Sequence, residues 1–200
     1  MIIKVCGMRD AENIREVEVL RPDWIGLIFW PKSSRYVSEM PAYLPTTAKR
    51  VGVFVDADIE TVRQTASDYA LDIIQLHGKE RPDYADQLRE WTVIKAFNIA
   101  TAEDLEQARA YEGHVDYFLF DTKAQLVGGN GQKFDWHVLD HYQGDTPFLL
   151  SGGIGPDDAE NIKIFHHNKC IGIDLNSRFE TEPGMKDVNK LRAFIKQIRS

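Results

Sequence analysis

Cysteine is scarce. Cys6 and Cys170 are the two in 200 residues, and they match neither a zinc-binding spacing nor a disulfide framework. Both read as reduced thiols of a reducing compartment. Positive charge is also short: 24 Lys and Arg against 31 Asp and Glu leave a formal charge of -7. A general binder of nucleic acid or of an anionic membrane needs a basic field, so those classes are disfavoured. A small anionic substrate stays open, provided that the positive groups are local. No apolar run approaches membrane-spanning length. The opening MIIKVCGMRD lacks the charged start, apolar stretch and small-residue cleavage site of a signal peptide. Internal repeats, low-complexity tracts and interdomain linkers are missing as well. What is left is one domain over residues 1–200, expected in the cytoplasm, with ample chain for a core.

What is present in quantity is a short apolar run. IIKVCG, DWIGLIF, RVGVFV, DIIQLHG, TVIKAFN, YFLFD, PFLLSGG and CIGIDLNS recur along the chain. They are nearly continuous rather than alternating, which suits parallel strands buried on both faces. Helix-compatible stretches separate most of them. DAENIREVEVL opens with Asp10 as a cap, and RPDYADQLREW has Pro82 placed for a first helical turn. Others follow at DADIETVRQTASDYA, TAEDLEQARAY, GPDDAENIKIF and MKDVNKLRAFIKQI. The second connection, MPAYLPTTAKR, is the weakest helix because it carries two prolines. Eight strand–helix units predict an α/β fold, a single (β/α)8 TIM barrel with short helices and loops. An open doubly wound sheet is the alternative.

In such barrels chemistry sits at the C-terminal ends of the strands, so the run ends are the candidates. Cys6 ends the first run. By position it fits a small core hydrophobe or a general base, since Lys4 lies two residues back on the same face and a nearby cation favours the thiolate. Asp121 ends the sixth. It fits a turn residue or a general acid kept protonated under a closing loop. That loop carries Gly128, Gly129 and Gly131 and leads to a helix start at Phe134, Asp135 and Trp136. Gly152, Gly153 and Gly155 fit tight turns or, with Asn176 and Ser177 after the eighth strand, an anion site of the kind that these barrels often build there. Arg35 fits a solvated loop charge or a carboxylate clamp. His77 fits strand-end packing or catalysis, and Trp30 and Trp136 fit packing or ligand stacking.

KVCGMRD, SSRYVS, VGVFV, IIQLHG, IKAF, FDTKAQLVGGNGQKFDW, LLSGGIGPDDAEN and GIDLNSRFE followed by PGMKD together resemble the phosphoribosylanthranilate isomerases of tryptophan biosynthesis, in order from residue 3 to about 187. The resemblance implies an Amadori rearrangement, an aldose-to-ketose isomerisation of an aminosugar, with no metal and no cofactor. It implies Asp121 as the acid, Cys6 as the base, and Arg35 as the partner of the anthranilate carboxylate. The SGGIG and NS segments would bind phosphate, and Asp174 would lie near the sugar hydroxyls. Arg178 stands where many members have a small residue, which leaves phosphate binding or solvent as its direction. Two other phosphate-binding barrel enzymes fit less well. An indole-3-glycerol-phosphate synthase wants a strand-end glutamate beside lysines such as Lys4 and Lys95, and none appears. A metal-dependent pentose-phosphate epimerase wants more than His77, Asp121 and Asp174. A non-catalytic barrel would have lost the acid or the base. The expected partner is a small phosphosugar, not a nucleic acid or a membrane, and a monomer is the expected state.

Overall fold

All eight apolar runs are strands: β1 (Ile2–Cys6), β2 (Trp24–Ile28), β3 (Lys49–Phe54), β4 (Ile73–Leu76), β5 (Thr92–Ile99), β6 (Tyr117–Thr122), β7 (Phe148–Ser151) and β8 (Cys170–Leu175). In the computed structural model they pair in sequence order, all parallel. β8 returns to β1 with Lys4 opposite Asp174. That last pairing closes the barrel and rules out the open sheet. The structure describes residues 1–122 and 136–200. The glycine-rich segment expected as a closing loop, with Gly128, Gly129, Gly131, Phe134 and Asp135, lies outside the described residues.

Side-chain alternation along each strand divides the core in two. Trp24, Val51, Ile73, Ile94, Leu119 and Leu149 form one cluster, which fills the N-terminal part of the barrel. The intervening residues, among them Ile25, Ile74, Phe118, Phe120 and Leu150, join a larger layer between strands and helices. Apolar packing therefore occupies the bottom and the outside, and polar side chains collect at the top of the barrel.

The connections are economical, as a short chain demands. α1 (Ala11–Glu18) is capped by Asp10, whose side chain accepts from Asn13 N, and α2 (Ile59–Asp68) by Asp58, which accepts from Thr61 N. α3 (Pro82–Ala85) starts on Pro82. α4 (Ala159–Ile164) follows β7, and α5 (Val188–Arg199) ends the chain under an Asp187 cap. Three connections depart from the expected α-helices, one of them after β6, where Trp136–His141 is a 3-10 helix. Ala102–Tyr111 is a 3-10 helix. Its buried residues, Leu105 and Ala108, are three apart, the spacing that stacks on one face at three residues per turn. Between β2 and β3 there is no helix at all. Pro41 and Pro45 interrupt it, and Glu18 at the end of α1 organises the loop instead. One Glu18 oxygen accepts from the backbone N–H groups of Thr46 (2.7 Å), Thr47 (2.6 Å) and Ala48 (3.1 Å), and the other accepts from the Tyr43 hydroxyl.

After β8 the chain adds a small antiparallel hairpin, β9 (Glu180–Glu182) and β10 (Met185–Lys186). It brings two charged side chains to the rim of the barrel.

Candidate active site

A cavity opens at the C-terminal ends of the strands. Cys6 from β1, Asp121 from β6, Ser151 from β7 and Asp174 from β8 line it, with Gln75 and His77 from the end of β4. Gly152, Gly153, Asn176, Ser177 and Arg178 complete the wall on the side of β7 and β8. Residues more than a hundred positions apart thus face one space, the arrangement that the strand ends predicted.

Cys6 is 3% exposed. Gly26 on β2 leaves it room, since a Cβ there would lie 2.7 Å from its Sγ. The expectation of a ready thiolate needs correction. Burial pushes the Cys6 thiol up; Lys4 and Lys186 pull it down, and the charge of Asp174 pushes it up again. Lys4 is fully buried and donates to Asp174 Oδ1 at 3.0 Å, so much of its field is spent on that carboxylate. Ser151 Oγ donates to the other Asp174 oxygen at 3.4 Å. Lys95, the other strand lysine, faces away from the cavity. It pairs with Glu80 at 3.0 Å and donates to Gly78 O at 2.7 Å, outside the barrel.

Asp121 is half-buried and has His77 Nε2 3.9 Å from its Oδ2. Gln75 Nε2 lies 3.1 Å from His77 Nδ1. His77 is therefore both a strand-end hydrogen-bonding residue and part of the cavity wall. Trp30 does not line the cavity, and Trp136 packs edge-on against Phe165.

On the side of β7 and β8, Gly152 sits at φ +97° against β6. A Cβ there would come within 2.0 Å of Thr122 O, so only glycine fits. Gly155 departs from its expected role as an anion donor. Its N–H donates to Asp158 Oδ2 at 2.8 Å, and it does not line the cavity. Arg178 does line it, with Nε 3.6 Å from the Cβ position of Gly155. Arg178 is exposed, so its side chain borders both the cavity and solvent.

Arg35 stands in the loop after β2. Its guanidinium forks onto Glu180 of the hairpin, Nε to Oε1 at 2.8 Å and Nη2 to Oε2 at 2.6 Å. Glu180 also accepts from Lys186 Nζ at 2.5 Å, and Lys186 donates to Asn176 Oδ1 at 2.9 Å. Gly7, at φ +79°, lets this cluster close over the end of β1. A Cβ on Gly7 would lie 2.7 Å from both Arg35 Cδ and Asn176 Oδ1. Sequence reasoning missed Glu180 and Lys186, although both fall inside the FE and PGMKD segments. Among the described residues no group of three or more His, Cys, Asp or Glu side chains is placed to hold a metal ion, and no helix is long and apolar enough to cross a membrane.

Residues 3–197 match the family model described as N-(5'-phosphoribosyl)anthranilate (PRA) isomerase. The chain belongs to the PRA isomerase family. It is 54% identical to a curated N-(5'-phosphoribosyl)anthranilate isomerase of Parabacteroides distasonis, over 99% of this chain and 93% of that protein. It is also similar to the crystal structure of phosphoribosyl anthranilate isomerase from Thermotoga maritima, with a TM-score of 0.84 and 32% identity over 100% of this chain and 99% of that one. A further PRA isomerase crystal structure, with a TM-score of 0.81 and 29% identity over the same shares, is a complex with reduced 1-(o-carboxyphenylamino)-1-deoxyribulose 5-phosphate. The fold and the function expected from the resemblance hold with these relatives.

Proposed function

We propose that this PRA isomerase converts N-(5'-phosphoribosyl)anthranilate to 1-(2-carboxyphenylamino)-1-deoxyribulose 5-phosphate by general acid–base catalysis, with Asp121 as acid and Cys6 as base. The observation that carries the assignment is that both side chains line one cavity at the mouth of the barrel, from β6 and β1. Asp121 gives its proton to the ribose ring oxygen, the C1'–O bond breaks, and the anthranilate nitrogen supplies the electrons of the Schiff base. Cys6 then takes the C2' proton, leaving an enolamine that tautomerises to the ketone. A thiol raised by burial is deprotonated less often, but its thiolate is the stronger base.

The remaining roles follow the substrate's two anionic ends. Arg35 holds the anthranilate carboxylate, and Asp174, fixed by Lys4 and Ser151, faces the sugar hydroxyls. Phosphate sits against Gly152, Gly153, Asn176 and Ser177, with Arg178 as an added cation. A cytoplasmic location and a monomeric state belong to the same reading; cell fractionation and light scattering check them.

The decisive experiment follows the loss of phosphoribosylanthranilate fluorescence with purified protein. Turnover is expected in the wild type. With Asp121→Asn, which keeps the shape but cannot deliver a proton, substrate-analogue binding is expected to persist while turnover falls by orders of magnitude. Binding without turnover in the wild type would instead indicate a non-catalytic barrel.

A further inference from the structure

Arg35 presents a fork with five N–H groups, and Glu180 takes only one side of it. Nε and one hydrogen of Nη2 meet the Glu180 carboxylate. The end of the guanidinium, formed by Nη1 and the outer hydrogen of Nη2, makes no hydrogen bond among the described residues and matches a second carboxylate bidentately. The plane of the guanidinium is therefore set by Glu180 before any ligand arrives.

Charge decides whether that end can attract an anion. Arg35 and Glu180 alone sum to zero. Lys186 brings the cluster to +1: burial pulls its ammonium down, but its Nζ touches the same carboxylate, which holds the charge in place. Burial opposes ionisation of Glu180, but hydrogen bonds from Arg35 and Lys186 win and hold its carboxyl below the ordinary range. A buried lysine and glutamate carry a desolvation cost that apolar residues would avoid, so stability alone is a poor reason to keep the pair.

The cluster is anchored on three sides. Asn13 of α1 clamps the backbone of Lys186, accepting from its N–H at 2.7 Å and donating to its carbonyl at 2.9 Å. Gly184 N donates to Glu180 Oε1 at 3.2 Å. Arg9 ties the hairpin to the Arg35 loop by donating to Pro183 O at 3.1 Å and Ser34 O at 3.2 Å. From these contacts we infer that Glu180 is a positioning residue that orients Arg35 and that Lys186 holds Glu180 and keeps the site net positive, so that the β9–β10 hairpin sets the enzyme's preference for an aglycone bearing a carboxylate. The inference rests on the isomerase reading above.

The test compares two ligands: reduced 1-(o-carboxyphenylamino)-1-deoxyribulose 5-phosphate and its counterpart without the ring carboxylate. Affinities for both are measured by calorimetry on the wild type, Glu180→Gln, Glu180→Asp and Lys186→Met, each checked for native circular dichroism. The wild type should prefer the carboxylated ligand. Lys186→Met, which removes the net positive charge, and Glu180→Gln, which releases the Arg35 fork even though it adds net positive charge, should each lower that preference about tenfold, the size of one lost charge-assisted hydrogen bond, with KM for phosphoribosylanthranilate rising more than kcat falls. Glu180→Asp keeps the charge and shortens the reach; it should fold even if Glu180→Gln does not, and should also lose preference. Folded variants that keep the wild-type preference, or lose affinity for both ligands equally, overturn the inference. Failure of the wild type to turn over phosphoribosylanthranilate would overturn the isomerase reading instead, so the two failures are distinguishable.

Discussion

At the scale of single residues, the state of Cys6 is the most testable consequence. Burial outweighs two neighbouring lysines and pushes the thiol above its ordinary value. At neutral pH the free protein therefore holds a thiol, and the thiolate gains population only above that ordinary value. Alkylation by iodoacetamide, located by mass spectrometry, should be slow at pH 7 and accelerate only as pH rises past the ordinary thiol range. Rapid modification of Cys6 at pH 7 would contradict the electrostatics. Removing the group is a separate matter: Cys6→Ala should fold normally yet lose roughly two to four powers of ten in turnover, the usual range for a general base. Arg178 has the smaller part. Arg178→Ala should leave kcat within a few-fold while raising several-fold the inorganic phosphate needed to inhibit. The strand-end residues were legible because a barrel directs them to one face and the chain marks the strand ends. Glu180 and Lys186 were not. They lie in a polar segment without periodicity, and only tertiary contacts bring them to Arg35.

At the scale of elements, Glu18 does the work of a missing helix. The link between β2 and β3 is held by its carboxylate, which accepts from three consecutive N–H groups and the Thr47 and Tyr43 hydroxyls. Burial opposes the charge, but these donors bring the Glu18 pKa from 4.5 to about 2. The sign follows. A carboxyl depressed on folding contributes stability that is complete above its unfolded value and is lost as pH falls through its folded value. Wild-type Tm should drop between about pH 4.5 and pH 2, and Glu18→Gln should flatten that part of the profile. At pH 7 the variant should lose about 1–3 kcal/mol, the cost of weakening hydrogen bonds to a charged group. An unchanged acid limb of the denaturation curve would count against this role. In the sequence, the two prolines warned that the helix was weak. Nothing local identified Glu18, 28 residues before Thr46, as the group that replaces it.

At the scale of the whole molecule, the barrel wall separates stability from chemistry. Eight apolar runs made the number and order of strands legible, but closure over an open sheet depends on β1 meeting β8 across 170 residues, Lys4 with Asp174. Local pattern holds no record of such a contact. Besides Lys186 and Glu180 at the rim, two buried lysine–carboxylate pairs among the described residues lie on opposite sides of that wall. Lys4 and Asp174 point into the barrel beneath the substrate site. Lys95 and Glu80 lie outside it, where Glu80 also accepts from Asp56 N at 2.8 Å and Gly78 N at 2.9 Å. Removing one member of a buried pair strands the other charge, at a cost of about 3–5 kcal/mol, and both pairs are exposed to that cost. Their effects on turnover should differ. Glu80→Ala should lower stability in urea by about that amount while kcat/KM of the folded fraction stays within a few-fold. Asp174→Ala should lower both, because it strands Lys4 next to Cys6 and removes the carboxylate proposed to face the sugar. The comparison is made at a temperature where both variants are folded, with the fraction folded measured by circular dichroism in the assay buffer. If Glu80→Ala lost turnover as steeply as Asp174→Ala, the outer pair would be coupled to the chemistry and the division at the barrel wall would fail.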